Sequence, residues 1–346
     1  MRAISLIVFV ALAAAAAAGQ TPAPQTPDTA RDFLSRGLGF TKSDLGTLNN
    51  GGAIVRMMDT ATAEEVAMVG AVRIKSTVPA YIEFFKDIVH SEQGALQIGR
   101  FHTPPVLSDL DAMTLDPDDI WSLKDCQPGD CELQLPASAI ARFHPPPPTP
   151  RLTDDGANRA MRAFMLDSLT TYQKGGLPAL GAFSDHDQPV SFAGEFDALR
   201  ASATHLPADV SNLFNYWRGY PATSLPDSED FFYWTKVKFG LKPTIRMNHV
   251  TIQPHVNRPD GLLAVIGTSQ VYATHYFTAV LDLRFLIEDR THEGGGFYLI
   301  ISTQSRSHGF TGLFGGFLKS IVRRRARSGM EIFMNMTKQN VEKLKK

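Results

Sequence analysis

The sequence predicts an α+β fold in which a curved antiparallel sheet grips a long C-terminal helix, with a helical insertion between the parts of the sheet. Three patterns lead there. In the last third, strand-like runs at 231–239, 244–252, 262–268, 271–287 and 296–303 follow one another with turn residues such as Pro259 and Gly261 between them, which marks an antiparallel meander. Residues 310–344 then carry Phe310, Phe314, Phe317, Leu318, Ile321 and Val322 as one helical stripe, continued by Met330, Phe333, Met336, Val341 and Leu344. Before the meander, the segment from the four prolines Pro145–Pro148 to about residue 225 reads as helical.

At 346 residues, 43% of them hydrophobic and 20% charged, the chain is globular, which excludes the disordered, collagen-like and coiled-coil classes. Its length suits two domains or one large domain with an insertion. Arg2, the short apolar run 4–12 and the small residues 13–19 have the order of a secretory signal peptide, expected to occupy 1–19. That run is short for a bilayer span of about 20 apolar residues. The proline-spaced stretch after it makes 20–28 a linker. The remaining boundaries are an N-terminal part of the α+β domain at 29–144, the helical insertion at 145–225, and the C-terminal sheet and helix at 226–346. The mature chain is expected to be exported, periplasmic or secreted.

The elements follow in order. Residues 29–48 read as helix, stopped by Asn49, Asn50, Gly51 and Gly52. Strands are expected at 53–58 and 66–74. In the second, Val66, Met68, Gly70, Val72 and Ile74 share one side, the period-2 pattern of a half-buried strand. Thr77 opens a short helix and 94–101 returns to strand. Helix 157–174 places Met161, Phe164, Met165, Leu169 and Tyr172 at spacings of three and four and stops at Gly175 and Gly176. A helical pair is expected at about 192–218. In the run 271–287, every odd position except His275 is apolar. Thr274, Thr278, Asp282 and Arg284 fall on the other side, expected to meet water, with Arg246, Asp282 and Arg284 pairing across strands. Gly315, Gly316 and Gly329 interrupt the last helix, where a close backbone approach or a bend is expected.

The chain has only two cysteines, Cys126 and Cys131, which flank the turn signal Pro128 and Gly129. Redox pairs usually space their cysteines by two residues, and a zinc site needs partners that are absent. A structural disulfide worth about 2 kcal/mol is the expectation. Nucleophile-elbow, S-x-x-K and H-E-x-x-H motifs are missing. Asp185, His186 and Asp187 hold potential metal ligands but read better as a solvated loop, so neither metal nor cofactor is expected. His249 and His275 sit on predominantly apolar strand faces. A histidine facing a cavity can hydrogen-bond a ligand or act as a general base, although a satisfied core histidine is the commoner case.

Charge is uneven. The mature chain carries 33 basic and 35 acidic residues, net −2, yet from Lys319 onward nine basic residues face two acidic ones, leaving −9 on the rest. This balance does not suit nucleic acid. Lys319, Arg323, Arg324, Arg325 and Arg327 make a basic face that is either solvated or docks on anionic lipid headgroups.

The order of elements carried by 71–88, 244–303 and the helix from Phe310 resembles the START-like (helix-grip) superfamily. That resemblance implies a sheet wrapped around its terminal helix over an apolar cavity, and a lipid-like ligand. Residues 104–225 depart from a minimal domain of that family and would be an insertion. The cavity lining expected on this basis is Phe277, Leu281, Phe297 and Leu299 from the sheet, with Phe314, Phe317 and Ile321 from the helix. The leading expectation is an exported protein that binds or transfers an apolar small molecule or lipid, with peripheral contact to an anionic membrane. An enzyme of the same architecture using His249 or His275, and a structural or partner-binding envelope protein, are the alternatives.

Overall fold

The computed structural model describes residues 29–344 apart from 88–91, 93, 145–151, 205, 207–209, 239–241, 256–257 and 312–314. The expected signal peptide, the linker, the four prolines and Phe314 lie outside the described residues. Helix α1 (Thr29–Asp32) runs into a π-turn at Phe33–Gly37, and α2 (Lys42–Asn49) follows. The expected single helix 29–48 is therefore broken, because Gly39 takes a left-handed φ of 66° and Thr41 starts a new helix with a capping box to Asp44. Strands β1 (Ile54–Met58) and β2 (Glu65–Ile74) form an antiparallel hairpin. Thr77 caps α3 (Val78–Lys86), and β3 (Gln97–Arg100) comes next.

A helical layer then begins, with α4 (Pro117–Asp125), α5 (Ala137–Phe143) and the long α6 (Asp154–Ala179). Gly176, with φ 66°, kinks α6 where a Cβ would lie 2.1 Å from the Tyr220 carbonyl oxygen. A two-stranded ribbon, β4 (Ala182–Phe183) and β5 (Val190–Ser191), leads into α7 (Phe192–Ser202) and α8 (Val210–Gly219). The meander follows as β6 (Glu229–Val237), β7 (Thr244–Pro254), β8 (Leu262–Ala273), β9 (Ala279–Glu288) and β10 (Phe297–Arg306), and the chain closes with α9 (Gly315–Lys343).

Eight strands make one antiparallel sheet in the order β1-β2-β10-β9-β8-β7-β6-β3. Strand β10 returns to pair with β2 from Phe297 opposite Ile74 to Arg306 opposite Glu65, joining the N-terminal hairpin to the meander. The sheet is covered on both faces. One face packs against α1, α2 and the helices α4–α8 through a single apolar cluster that includes Leu283, Phe285, Phe164, Leu213 and Trp217. The other packs against α3 and α9 through Val72, Ile74, Phe297, Leu299, Tyr81, Met330 and Met334. This is the α+β architecture the sequence predicts, an antiparallel sheet with the C-terminal helix packed against it.

Two expectations fail for one reason. The run 271–287 is not a single strand: Thr274–Thr278 form a turn, with Tyr276 at φ 65°, between β8 and β9. The odd positions of β9 do face apolar surroundings, but these are the helical layer, and the even positions Val280, Asp282 and Arg284 line the cleft on the other face. These three lie under α9, with Arg284 buried among them.

Helix α9 is fixed near both ends. At its start, Gly315 lets the backbone pass so close to Phe310 that a Cβ would sit 2.3 Å from the Phe310 carbonyl oxygen, and Lys319 Nζ donates to Ala63 O at 2.8 Å. Toward its end, Lys338 Nζ donates to Gly51 O at 2.8 Å and Glu342 accepts from the Lys75 amide at 2.8 Å. A Cβ at Gly329, in the middle, would meet nothing within 4 Å. The close approach expected of a glycine here falls to Gly315. Among the described residues, no helix is long and apolar enough to cross a membrane.

Gly267 shows how tightly the helical layer is seated. A Cβ there would lie 2.4–2.6 Å from Trp217 and Leu213, and the Trp217 ring cannot retreat because its Nε1 donates to Thr251 Oγ1 at 2.9 Å in a fully buried site. Gly267→Ala is expected to destabilise the protein by about 1–3 kcal/mol. Chemical denaturation checks this; wild-type stability would refute the packing described.

Candidate functional site

Between α9 and the sheet lies a cleft of about 620 Å³. The register of the strands lays out its floor. Val66 and Met68 of β2 stand opposite Ser305 and Thr303 of β10, which stand opposite Val280 and Asp282 of β9. Ile301 opposite Arg284 continues the row, and Arg246 of β7 closes it. The roof is α9, which contributes Val322, Ala326, Gly329, Met330 and Phe333, with Arg325 at its exposed edge. Phe277, from the turn before β9, fills one end with Val66, Val280 and Val322. The other end carries Glu92, Gly94, Ala95, Val237 and the exposed Lys238. The volume falls within the range of small-molecule sites, about 300–1,000 Å³.

The cleft has an apolar part and a charged part. Arg284, 7% exposed, places its guanidinium 4.7 Å from the centre of the Phe85 ring. Its Nε and Nη1 have no hydrogen-bond partner among the described residues. Burial disfavours its charge, but Tyr81, Asp282, Tyr233 and Glu92 outweigh that and hold its pKa above the ordinary value. A buried donor without a partner costs about 1–3 kcal/mol, and more when charged. Glu92 goes the opposite way: burial pushes its carboxyl up toward the neutral form, although Tyr233 donates to it at 2.6 Å. Arg246 reaches Gln270 Oε1 at 3.2 Å and lies 3.9 Å from Asp282. Four cationic side chains, Arg246, Arg284, Lys238 and Arg325, thus share the lining with Asp282 and a carboxyl of raised pKa.

Of the residues expected to line the cavity, Phe277 does so. Phe297 and Leu299 are on the correct face but lie farther along β10, packed solid against α3 and the core. Leu281 points into the helical layer on the opposite face, because the turn at 274–278 and the cover on both sides invert the expected alternation. Phe317 is 72% exposed, and Ile321 is half-buried and outside the cleft lining. Arg246, Asp282 and Arg284, expected to face water, line the cleft instead. Their signal in the sequence was the charge itself: a strand alternating apolar and charged residues looks half-exposed whether its charged side faces solvent or a polar cleft.

The basic residues of α9 divide. Lys319, Arg323, Arg324 and Arg327 line an outer groove of about 690 Å³ together with Met57 and Glu331. Arg325, two residues past Arg323 and so about 200° around the helix, turns toward the cleft instead. The single basic face expected from the sequence is therefore four residues, with the fifth on the roof.

His249 and His275 are both buried, and neither lines the cleft. The Tyr172 hydroxyl of α6 donates to His249 Nδ1 at 2.8 Å, and His249 Nε2 donates to Asp230 Oδ1 at 3.1 Å. Asp230 also accepts from Tyr216 and, at 2.5 Å, from Thr251. Burial pushes the Asp230 carboxyl up, but these hydrogen bonds outweigh it and hold it below the ordinary value. His275 sits in the turn rather than on a strand, with Nδ1 3.1 Å from Glu132 O and Nε2 3.0 Å from Asp119. Each ring thus has two partners and ties the sheet to the helical layer.

The Cys126–Cys131 disulfide is formed, and its turn docks on the loop at Asp185: Gly129 N donates to Ser184 O and Cys131 N to Asp185 O. Among the described residues, no group of histidine, cysteine and carboxylate side chains is arranged to hold a metal. Compared with known proteins, the chain matches no family model and no curated protein.

At the edge of the cleft, an ionic cluster secures the approach to α9. Arg306 Nε is 3.0 Å from Glu195, Nη1 is 3.1 Å from Glu65, and Nη2 meets Glu64. His308 Nε2 lies 3.1 Å from Glu195 as an ion pair rather than an aligned hydrogen bond. The Glu195 contact, chiefly, raises the pKa of His308 above its ordinary 6.5. Burial pushes the Glu195 carboxyl up, but contacts from His308 and Thr278 outweigh it and leave its pKa below the ordinary 4.5. The carboxylate contribution is present above about pH 4.5 and fades as the pH falls through its lowered value. The His308 contribution is complete below about pH 6.5 and is lost as the pH rises through its raised value. Denaturation midpoints are therefore expected to decline as the pH rises above about 6.5 and to decline less in His308→Gln. Parallel curves for the two proteins would refute this coupling.

Proposed function

We propose that the protein is an exported carrier that holds an apolar, lipid-like molecule between its sheet and C-terminal helix, in the manner of START-like helix-grip proteins. The observation that carries this reading is the 620 Å³ cleft under α9, with Val66, Met68, Phe277, Val280, Ile301, Val322, Met330 and Phe333 supplying apolar wall. Entry would be driven by burial at about 25 cal/mol per Å² of apolar ligand surface. An N-terminal sequence with the order of a signal peptide, together with the disulfide, is in keeping with an oxidising compartment outside the cytoplasm.

The outer groove supplies the second part of the reading. Lys319, Arg323, Arg324 and Arg327 are concentrated on one side of α9, and the same helix exposes Phe317. A basic strip beside an exposed aromatic suits the surface of an anionic bilayer, where each charge contributes about 1 kcal/mol. Docking there would bring the cleft beneath the same helix to its ligand's source.

Gly329→Leu tests the cleft without endangering the fold. Leucine at that helical position meets open space and is a better helix former by up to about 1 kcal/mol. The variant is expected to keep or raise its melting temperature while losing most of the apolar molecule that native mass spectrometry recovers with the wild type. Equal ligand recovery from both proteins, or an empty wild type, would overturn the reading. Replacing Arg323, Arg324 and Arg327 together by Gln should weaken binding to phosphatidylserine-containing vesicles by about 3 kcal/mol, roughly a hundredfold, and leave neutral vesicles unaffected. Unchanged sedimentation with vesicles would remove the membrane part alone.

A further inference from the structure

The cleft contains more cationic charge than its apolar wall requires. Arg284 is an inward-facing member of β9, more than nine-tenths buried, with Phe85 against its guanidinium and both Nε and Nη1 unpaired among the described residues. Arginine has five N–H donors and no acceptor, and it remains charged. Asp282 is the carboxylate closest along the strand, and it also faces Arg246 at 3.9 Å. Glu92, whose Oε1 accepts from the Tyr233 hydroxyl at 2.6 Å, is the second carboxyl of the lining. Lys238 and Arg325 add positive charge at exposed positions of the lining. An apolar ligand alone would leave Arg284 Nε and Nη1 without a partner, a more costly state than the same donors bound to an anion.

We infer that the ligand is an acidic amphiphile, its anionic head paired with Arg284 and Arg246 and its apolar tail lying along Met68, Val322, Met330 and Phe333. This deepens the carrier reading and rests on it. The chemistry required is a carboxylate or phosphate oxygen on a molecule with a long hydrocarbon tail. Charge-assisted hydrogen bonds from arginine to an anion are about twice as strong as those to a neutral oxygen, so a neutral head offers Arg284 a weaker partner and no opposing charge. Phosphatidylserine-rich surfaces, or any membrane that releases fatty acids or lysophospholipids, would present such molecules to the outer face of the same helix.

The test uses the full mature chain and ligands matched in their tails. Displacement of a fluorescent fatty-acid probe is measured with oleic acid, 1-oleoyl lysophosphatidic acid, methyl oleate and oleyl alcohol. The wild type should favour at least one of the two acids over both neutral compounds by about tenfold or more. Preference for oleic acid assigns a carboxylate head, and preference for the lysophosphatidic acid assigns a phosphate head. Arg284→Gln should reduce that preference to within about threefold while retaining the affinity for oleyl alcohol. The wild-type series stands by itself if Arg284→Gln does not fold. Equal binding of all four compounds would overturn the acidic-head inference and leave the apolar carrier intact. Failure of all four to bind would overturn both.

Discussion

The pairing of β10 with β2 is the constraint on which the rest of this structure depends. It runs from the Phe297–Ile74 end to the Arg306–Glu65 end and is the place where distant parts of the chain become one sheet. Strand β2 brings Val66, Met68 and Gly70 beneath α9, and β10 brings Ile301, Thr303 and Ser305 beside them. Without that ladder, the hairpin that seats α9 and the meander that carries the charged residues would have no common floor. The close spacing of Met330 and Met334 over Gly70 shows why the seat is specific: a Cβ on Gly70 would come within 2.7–2.8 Å of their side chains.

Much of this was legible in the sequence. Turn residues placed β6, β7 and β10 of the meander to within a few positions, and Thr77, Gly176 and the spacing of apolar residues in α6 marked helices that are present. Val66, Met68, Val72 and Ile74 do share the face toward α3 and α9. What misled was alternation in the run containing β9. Period-2 patterning reports that two sides of a strand differ, but not which side is covered and by what. Leu281, Leu283 and Phe285 were apolar because the helical layer lies on them, whereas Asp282 and Arg284 were charged because a polar cleft does. Nothing local in the sequence distinguishes a solvated side from a covered polar one. Similarly, His249 and His275 found their carboxylates at Asp230 and Asp119, 19 and 156 residues away, by tertiary contact alone.

Helix α9 serves two environments with one sequence. Its 3.6-residue period sends Val322, Ala326, Met330 and Phe333 inward while Lys319, Arg323 and Arg327 emerge on the other side. Arg325 belongs to the inner set despite standing within the basic run, so a count of charges along the chain overstates the outer strip and understates the charge of the cleft. The helical layer on the far face of the sheet plays a different part. By fixing the odd positions of β9 through Leu283 and Phe285, it determines that the even positions, Arg284 among them, present themselves to α9.

The attachments of α9 give it the mechanics of a beam held at its supports. Gly315 against Phe310 and Lys319 against Ala63 clamp one end, while Lys338 on Gly51 and Glu342 on Lys75 clamp the other, and Gly329 leaves slack at midspan. Adjustment of the space below therefore falls to side chains rather than to displacement of the whole rod. Met330 is suited to this, since an unbranched thioether changes shape at little cost. A change in the shape of that space would be taken up by torsions in one flexible residue, with the span itself unmoved.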